Sequence, residues 1–482
     1  MDILYSKGGL KKGFSTGTVS AGVIRSSIRY YFSKKKFETI SVDMPGGESV
    51  NIDVIDLSCR FLKNGTKITT AVIQKFSGDD IDVTGGIKIY ADFMIIGKKV
   101  HKNFNVRNNN KGAHGYEYDN DCHNDSDKII AEVFENDLEN YFNEFYHNKL
   151  TFYDKIINAL ATDFFLLSAE GIGIVTKQGL PVRIGYPAIN PVPLDMIKKN
   201  VLNELDALNK LDALNKLNVL NKLNTPNIVP GFNEINENNK AHNYFKNFFL
   251  SVLYIPDGEE VSKKTLNSRL GIIGGLSILG TTGYVVPISA KAWLDTIKSS
   301  LNFLSENNID LCVFTPGRFS EKCAMKIFGN LSEAYFIEIG DFVSYSVRKA
   351  ADFGIKNIIL TGQFGKIVKI SQGERNTNAK YSRLNLNYIG EIIKNIEYVQ
   401  RAASVDYYED DFSIVYEKVI NSNTSREAFS YIEGIKNEIV KKEIINKILY
   451  NAKNNIEKIN NNRVKCKVIL LSYSGEKIFE TK

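Results

Sequence analysis

The sequence predicts an α+β N-terminal domain followed by an α/β C-terminal domain with a small parallel sheet. Short apolar strands separated by turn residues fill the first hundred residues, whereas strands and helices alternate regularly after Ser289. A chain of 482 residues is also longer than one ordinary domain. We therefore predict two domains, residues 1–280 and residues 281–482, the second of which ends in a helical tail.

The N-terminal domain opens with a segment rich in glycine and hydroxyl residues. Residues 11–32 read KKGFSTGTVSAGVIRSSIRYYF, and the apolar residues that follow the hydroxyl cluster fall on one helical face. Ser15, Thr16 or Thr18 is a suitable N-cap, because a side-chain oxygen there accepts a hydrogen bond from the first helical turn. The alternative interpretation is an anion cradle, with two lysines beside it.

Several short strands follow this helix. Residues 39–45 and 49–57 flank a Gly-Gly turn, which is the pattern of a β-hairpin. Residues 67–76 and 87–96 are predicted as two further strands, joined by the segment SGDDIDVTGG. This segment places three carboxylates, Asp79, Asp80 and Asp82, within four residues. Such a group can bind a cation or accept a proton, but it is also common in a solvated turn.

Two polar, low-complexity insertions are predicted, at about residues 98–150 and 200–245. The first is rich in Asn, Asp, His and Lys, so we expect it to be partly disordered. The second begins with a decaying LDALNK repeat whose leucines would spread around a helix, so we expect a surface segment without chemistry. The five histidines lie in or beside polar segments, which argues against a His-dependent triad and a His-ligated metal.

Two glycine-rich stretches return to an ordered pattern. Residues 171–197 combine glycine with proline and are predicted as a long, rigid, irregular loop. Residues 256–289 are predicted as the centre of the chain: a buried strand at 272–279, the loop Gly-Thr-Thr-Gly, and a helix. This order presents backbone N–H groups to an anion, although a purely structural turn has the same pattern.

The C-terminal domain alternates strands and helices. Helices are predicted at 289–306, 318–329 and 342–353, and a further helical run from about residue 367. Apolar strands in such an alternation form a parallel sheet with helices on its faces. Each predicted strand ends in a loop that contains glycine, and ligands of such sheets bind outside the carboxyl ends of the strands.

Composition excludes several classes of function. The formal net charge of +6 is mild and no Lys/Arg block dominates, which argues against nucleic acid as a partner. Five scattered cysteines indicate a reducing compartment rather than a disulfide framework. We see no signal-peptide pattern and no 18-residue apolar run, so we expect a cytoplasmic protein without a membrane partner. A homo-oligomer remains one of the open alternatives.

Five blocks of sequence together resemble the cobalt-precorrin-5B C1-methyltransferases of anaerobic cobalamin biosynthesis, the CbiD family. The blocks are GFSTGTVSAG, SGDDIDVTGG, GIGIVTKQGLPVRIGYPAINPVP, IPDGEEVSKKTLNSRLGIIGGLSILGTTGYVVP and LTGQFGKIVKISQG, in the order that the family has them. The resemblance implies an N-terminal domain that looks like a permuted relative of the ribosomal S5 second domain. It also implies a C-terminal α/β domain with a small parallel sheet.

The resemblance implies methyl transfer from S-adenosyl-L-methionine to C1 of cobalt-precorrin-5B, giving cobalt-precorrin-6A. Cobalt travels with this tetrapyrrole substrate, so no metal ligand is expected from the protein. The substrate carries many carboxylates, and cations or helix N-termini are expected around it.

These expectations select three groups of residues. The candidate catalytic residues are Asp79 and Asp80. The methyl donor is expected at glycine loops and the strand ends near them: Gly280, Thr281, Thr282, Gly283, Gly317, Asp341, Gly362, Gly365 and Lys366. The substrate is expected at Thr16, Gly17, Thr18, Lys177, Arg183, Lys263, Lys264 and Arg269.

This chain departs from the family pattern in its last block. Gln363 stands where the family has a histidine, and Thr377 and Asn378 stand where it has a Thr-His pair. One alternative function is a non-catalytic corrinoid-binding paralogue. A second is a phosphate- or nucleotide-binding enzyme, although GQFGKIVK lacks the Walker A spacing. A third is an interaction module that uses the Asn-rich insertions.

Overall fold

The structure is a computed structural model that describes residues 1–6, 9–100, 157–161, 164–210, 244–287, 289–402 and 409–481. The chain forms two compact units. Unit 1 comprises residues 1–176 and 181–288, and unit 2 comprises residues 177–180 and 289–482. The division falls at residue 288, beyond the predicted 280, because residues 284–285 pair with a strand of unit 1.

Most of the two predicted insertions lies outside the described residues. This applies to residues 101–156 and 211–243, and so to the predicted disorder and to most of the leucine repeat. The histidines of the sequence argument lie there as well: His101, His114, His123, His147 and His242.

The first elements of unit 1 confirm the N-terminal prediction. They are β1 (Gly13–Phe14), α1 (Thr16–Ser33), β2 (Thr39–Asp43) and β3 (Ser49–Asp53). β2 and β3 form the predicted antiparallel hairpin. Of the three N-cap candidates, Ser15 is the one that caps α1: its hydroxyl accepts the N–H of Thr18 at 3.2 Å.

Unit 1 is built on a mixed sheet of six strands. These are β4 (Asp56–Phe61), β5 (Lys67–Gln74), β6 (Lys88–Val100), β7 (Ile157–Ala161), β8 (Phe164–Ser168) and β11 (Tyr244–Tyr254). The strands lie in the order β4-β5-β6-β11-β8-β7. β11 and β8 run parallel, and all other neighbours are antiparallel. The predicted strands at 67–76 and 87–96 are the adjacent pair β5 and β6.

One helix covers this sheet, and a second helix covers the first. α1 packs on β5 and β6, and α2 (Pro191–Lys210) packs on α1. The predicted irregular loop therefore ends at Pro191, whose fixed φ suits the first turn of a helix. The predicted insertion is wrong at its start, because Val201 and Leu208 are buried in the core of unit 1.

Short strand pairs complete unit 1. They involve β9 (Gly171–Ile172) and β10 (Ile174–Val175), and then β12 (Ile272–Ile273), β13 (Gly275–Leu276) and β14 (Tyr284–Val285), which follow the short helix α3 (Gly258–Ser262). β1 pairs with β14, β10 with β12, and β9 with β13. The single strand predicted at 272–279 is wrong, because Gly274 has φ +81° and divides it into two two-residue strands.

Three glycines allow the backbone to cross itself in this region. A Cβ on Gly171 would lie 1.7 Å from the carbonyl oxygen of Ile255, and one on Gly258 would lie 2.1 Å from the carbonyl oxygen of Gly171. A Cβ on Gly275 would lie 2.2 Å from the carbonyl carbon of Gly171. The glycine-rich blocks around residues 171, 258 and 275 are therefore explained by close backbone packing.

Unit 2 is an α/β unit. Its strands are β15 (Leu311–Thr315), β16 (Phe336–Glu338), β17 (Asn357–Gln363), β18 (Lys465–Leu471) and β19 (Lys477–Glu480). Its helices are α4 (Ala290–Glu306), α5 (Arg318–Ile327), α6 (Val343–Asp352), α7 (Phe364–Ser371), α8 (Leu386–Ala402), α9 (Glu409–Ile420), α10 (Ser425–Glu433) and α11 (Glu438–Ile459). The sheet order is β16-β15-β17-β18-β19, with parallel pairing up to β18 and an antiparallel last strand.

A four-residue segment from the first half of the chain, residues 177–180, belongs to unit 2 and is called the excursion below. Asn302 of α4 donates its amide to the carbonyl oxygen of Gly179 at 2.9 Å, and Asn307 donates to that of Gln178 at 3.0 Å. A Cβ on Gly179 would lie 2.7 Å from the Cα of Phe303, so the excursion packs closely on α4.

Among the described residues, no helix is both long enough and apolar enough to span a bilayer.

A buried ion cluster fastens α1 to α2. The carboxylate of Glu204 accepts hydrogen bonds from Arg25 at 2.8 Å and from Arg29 at 2.6 and 2.7 Å. The Glu204 side chain is 2% exposed. Burial raises the pKa of Glu204, but the hydrogen bonds and charges of the two arginines outweigh it and hold the pKa below its usual value.

Glu204→Gln should lower the free energy of unfolding by about 3 kcal/mol, because it leaves guanidinium groups without their buried counter-charge. A carboxylate with a depressed folded pKa stabilises the protein above its unfolded pKa and loses that contribution as the pH falls through the folded pKa. Urea unfolding should therefore show a gap to wild type that narrows in acid. The matched control is Glu438→Gln, whose exposed carboxylate pairs with Lys441; an equal loss there would contradict the prediction.

Candidate active site

Two glycine- and threonine-containing blocks of the sequence meet at the start of α1. The hydroxyl of Thr16 accepts the N–H of Leu279 at 2.9 Å and lies 3.2 Å from the carbonyl oxygens of Ser277 and Leu279. The N–H of Gly17 donates to the carbonyl oxygen of Leu279 at 3.0 Å. The hydroxyl of Thr18 donates to the carbonyl oxygen of Gly283 at 2.6 Å.

These contacts place three predicted substrate-binding residues inside the protein. Thr16 and Thr18 are 3% and 0% exposed, and a Cβ on Gly17 would lie 2.9 Å from Pro193. Their polar groups are used to hold residues 277–283 against α1. The geometry gives them a structural role in the loop that the sequence assigned to the methyl donor.

The loop 280–283 has a closely packed glycine at each end and two exposed residues between them. A Cβ on Gly280 (φ +131°) would lie 2.2 Å from the hydroxyl oxygen of Ser15, and one on Gly283 (φ +79°) 2.4 Å from Met44. Thr281 and Thr282 between them are exposed. Of the four donor-binding residues predicted in this loop, only Thr281 and Thr282 present side chains to solvent.

The segment that follows β5 contains a buried lysine. Lys75 is 2% exposed, and its ammonium group donates to the hydroxyl of Ser77 at 2.8 Å and to the carboxylate of Asp82 at 2.5 Å. Burial lowers the pKa of Lys75, against the charge of Asp82, which raises it. Lys75 is not among the residues predicted from the sequence. The available signal was a lysine near the end of the apolar segment KITTAVIQKF, whose only other cation, Lys67, stands at its start.

The structure separates the two predicted catalytic carboxylates. Asp79 is exposed, and its carboxylate accepts the N–H of Lys11 at 2.7 Å, so it fastens the segment before β1. Asp80 lines a cavity, and none of the described residues gives its carboxylate a hydrogen bond. Burial and the charge of Asp82 raise the pKa of Asp80, and Lys75 only partly offsets them.

The cavity has a volume of about 470 Å³ and lies within unit 1. This volume is within the usual range for small-molecule sites. Apolar side chains form much of its wall, namely Met1, Phe14, Val19, Ile52, Ile55, Ile73 and Phe76. Its polar groups come from Asp53, Gln74, Lys75, Ser77 and Asp80. A mostly apolar cavity with a few converging polar groups and perturbed pKa values is the usual form of an active site.

Four of the predicted substrate-binding cations lie in unit 1. Lys263 is exposed and pairs with Glu260 at 2.5 Å, and hydrogen bonding to Glu260 raises the pKa of Lys263. Lys264 is exposed, while Arg183 and Arg269 are half-buried and have partners of their own. The fifth, Lys177, belongs to unit 2, where its ammonium group lies 5.7 Å from the ring centroid of Phe303.

Asp341 in unit 2 accepts hydrogen bonds from three side chains. It follows β16 at the carboxyl end of the sheet, where its carboxylate accepts hydrogen bonds from Lys366, from the hydroxyl of Thr377 at 2.8 Å and from the amide of Asn378 at 3.0 Å. Burial raises the pKa of Asp341, but these donors and the charge of Lys366 outweigh it and lower the pKa. Two predicted donor-binding residues, Asp341 and Lys366, thus hold the loop around residue 377.

The three remaining donor-binding candidates differ in how open they are. A Cβ on Gly317, between β15 and α5, would meet no atom within 4 Å. A Cβ on Gly362 would lie 3.3 Å from Ile367, and one on Gly365 would lie 2.5 Å from Ser425 of α10. Gly317 is therefore the open position, and Gly365 serves helix packing.

In the part of the chain that the structure describes, no group of three or more His, Cys, Asp or Glu side chains is arranged to hold a metal ion.

Comparison with protein families identifies the chain. The CbiD family model matches residues 4–109, 148–220 and 229–287. The match ends one residue before the last residue of unit 1. This chain belongs to the CbiD family.

Curated relatives extend the similarity over most of the chain. A protein of Clostridium perfringens (strain SM101) is 28% identical over 480 residues, covering 94% of this chain and 98% of the relative. A protein of Picrophilus torridus is 28% identical, covering 83% and 88%, and one of Clostridioides difficile is 29% identical, covering 77% and 73%. Each is named cobalt-precorrin-5B C(1)-methyltransferase.

One solved structure is similar, a cobalamin biosynthesis protein (cbiD) from Archaeoglobus fulgidus. It is 20% identical, with a TM-score of 0.31, and the similarity covers 74% of this chain and 80% of that one.

Gly280→Ala should destabilise unit 1 by more than about 2 kcal/mol, because the new methyl group would collide with Ser15 and disturb the cap of α1. Gly47→Ala is the matched control: Gly47 also has a positive φ, +94°, but its Cβ would meet no atom within 4 Å. We expect only about 1 kcal/mol there. Urea unfolding of both variants tests this, and equal losses would show that crowding at Ser15 is unimportant.

Proposed function

We propose that this chain transfers a methyl group from S-adenosyl-L-methionine to C1 of cobalt-precorrin-5B, giving cobalt-precorrin-6A in cobalamin biosynthesis. The observation that carries the proposal is membership of the CbiD family, together with relatives named for this activity that match 94% of the chain. Cobalt belongs to the substrate in this reaction.

The proposed step is a displacement at the sulfonium methyl group. An electron pair of the macrocycle forms the new bond from C1 to the methyl carbon, and the bond from sulfur to that carbon breaks. Sulfur keeps the bonding pair, so S-adenosylhomocysteine leaves as a neutral thioether and the positive charge passes to the macrocycle. Loss of a proton to a base neutralises it. Alignment of the two reactants contributes about 7–11 kcal/mol in such reactions.

We assign the base to Asp80 and leave Asp79 a structural role. Three observations support this assignment: Asp80 lies in the cavity wall, its carboxylate receives no hydrogen bond from the described residues, and burial and the charge of Asp82 raise its pKa above the usual value. A general base works best when its pKa lies near the operating pH. The exposed carboxylate of Asp79 is already bonded to the Lys11 N–H.

We assign recognition of the substrate carboxylates to cations of unit 1. Lys264 supports this, because it is exposed and forms no ion pair with the described residues. Lys263, Arg183 and Arg269 are the other candidates, and each would exchange an existing partner for a substrate carboxylate. Charge-assisted hydrogen bonds of this kind fix both affinity and orientation.

For the methyl donor we propose the carboxyl end of the unit 2 sheet. The open backbone at Gly317 supports this, because ligands of such sheets bind beyond the strand ends. Asp341 and Lys366 would then act on the donor only indirectly, by holding the loop at Thr377 and Asn378. We also retain the likeness of the N-terminal unit to a permuted ribosomal S5 second domain as part of this proposal.

The activity is tested by incubating the purified protein anaerobically with cobalt-precorrin-5B and methyl-labelled S-adenosyl-L-methionine. We expect the label to appear in the macrocycle. Tight macrocycle binding without transfer would instead favour a corrinoid-binding paralogue. A rise in melting temperature with ATP but not with S-adenosyl-L-methionine would favour the nucleotide-binding alternative.

Asp80→Asn should lower kcat about 100-fold or more while leaving the melting temperature close to that of wild type, because it removes a general base but keeps the shape of the side chain. Asp79→Asn is the matched neighbour and should keep most of the activity. In wild type kcat should rise with pH through the pKa of Asp80, which burial and the charge of Asp82 raise above its usual value, since only the ionised form accepts a proton. Equal losses of kcat in the two variants would contradict the assignment.

A further inference from the structure

One short segment beside the unit 1 cavity carries three charged groups, two of which line the cavity. Lys75 directly follows β5 in a buried position, and Asp80 and Asp82 come after it in the connection to β6. Lys75 and Asp80 line the cavity, and Asp82 lies behind them, bonded to the lysine. The one cation, Lys75, thus bonds directly to Asp82 and acts on Asp80 through its charge.

The contacts of the two carboxylates differ. One oxygen of Asp82 accepts Lys75 at 2.5 Å, and the other accepts the N–H and the hydroxyl of Thr84 at 2.8 and 2.7 Å. Asp82 is therefore saturated by donors and stays ionised. Asp80 has no such donor among the described residues, so it is the carboxylate that remains available to a ligand.

Lys75 also fixes the path of this segment. Its second hydrogen bond, to Ser77, lies where β1 crosses the segment: a Cβ on Gly13 would be 2.3 Å from the carbonyl carbon of Ser77, and the N–H of Phe14 donates to the carbonyl oxygen of Phe76. The lysine thus holds both ends of the turn that carries Asp80. An ammonium group has three donors, and the described residues take two of them.

We propose that Lys75 is a positioning residue for the methyl transfer: by pairing with Asp82 inside the cavity wall, it holds Asp80 toward the cavity as the single available base. This inference rests on the proposed function, in which Asp80 accepts the proton. Lys75 itself contacts neither reactant in this scheme.

The charges around Asp80 determine how substitutions should act. Asp82 raises the pKa of Asp80, and Lys75 lowers it. The other charged groups of the cavity wall are Asp53 and the amino group of Met1, which neutralise each other at 2.6 Å. Lys11 and Asp79 lie on the adjoining segment, with the Asp79 carboxylate bonded to the Lys11 backbone.

The test is the pH profile of kcat for three variants. Lys75→Met removes the cation, so the acidic limb should move to higher pH by on the order of one unit. Asp82→Asn removes the like charge, so the limb should move to lower pH by a similar amount. Lys75→Arg keeps the charge and should leave the limb near that of wild type. If Lys75 were purely structural, Lys75→Met would reduce kcat, but the acidic limbs of Lys75→Met and Asp82→Asn would not move in opposite directions.

A second readout separates failure of this inference from failure of the proposed function. Carbon-13 NMR of carboxyl-labelled aspartate, with Asp80→Asn to assign the signal, follows the titration of Asp80 without turnover. Opposite shifts in Asp82→Asn and Lys75→Met support the inference about the cluster even if wild type transfers no methyl group. An unchanged Asp80 titration in Asp82→Asn overturns it, including when Lys75→Met does not fold.

Discussion

The hydrogen bonds between Thr16 and the backbone at Ser277 and Leu279 are the constraint on which unit 1 depends. They join parts of the chain that are 261 and 263 residues apart. Through them the N-terminus of α1, the pair β1–β14 and the loop 280–283 become one structure, which in turn places Phe14 and Val19 in the cavity wall. A threonine does this well, because its hydroxyl can donate and accept at once.

Environment rather than residue type distinguishes the aspartates of this site. Asp79, Asp80 and Asp82 lie in one short segment, yet one is exposed and bonded to a backbone N–H, one faces a cavity, and one is bound by a lysine and a threonine. The electrostatic consequence is that the pKa of Asp80 is raised while that of Asp82 is lowered. Acid–base chemistry at neutral pH requires such a separation.

Local signals predicted much of the fold. The hairpin β2–β3 followed from a Gly-Gly turn, helix α1 from its capping residues and helix α4 from the helical spacing of its residues; these signals act over a few positions. Three features were not predictable, because each depends on a partner far away in the sequence. They are the division at Gly274, the core position of Val201 and the crossing at Gly171. The site shows the same limit: the carboxylates were found, but their different surroundings and the buried Lys75 were not.

The excursion at residues 177–180 has a consequence for dissecting the protein. The chain passes from one unit to the other after residue 176, returns after residue 180 and leaves again after residue 288. A fragment that starts at Ser289 would lack the carbonyl oxygens that Asn302 and Asn307 bind, and would expose the surface of Phe303 beneath Gly179. Truncation of the gene at residue 289 therefore yields an incomplete unit 2. A peptide spanning residues 177–180 would have to be grafted onto the fragment to restore its surface.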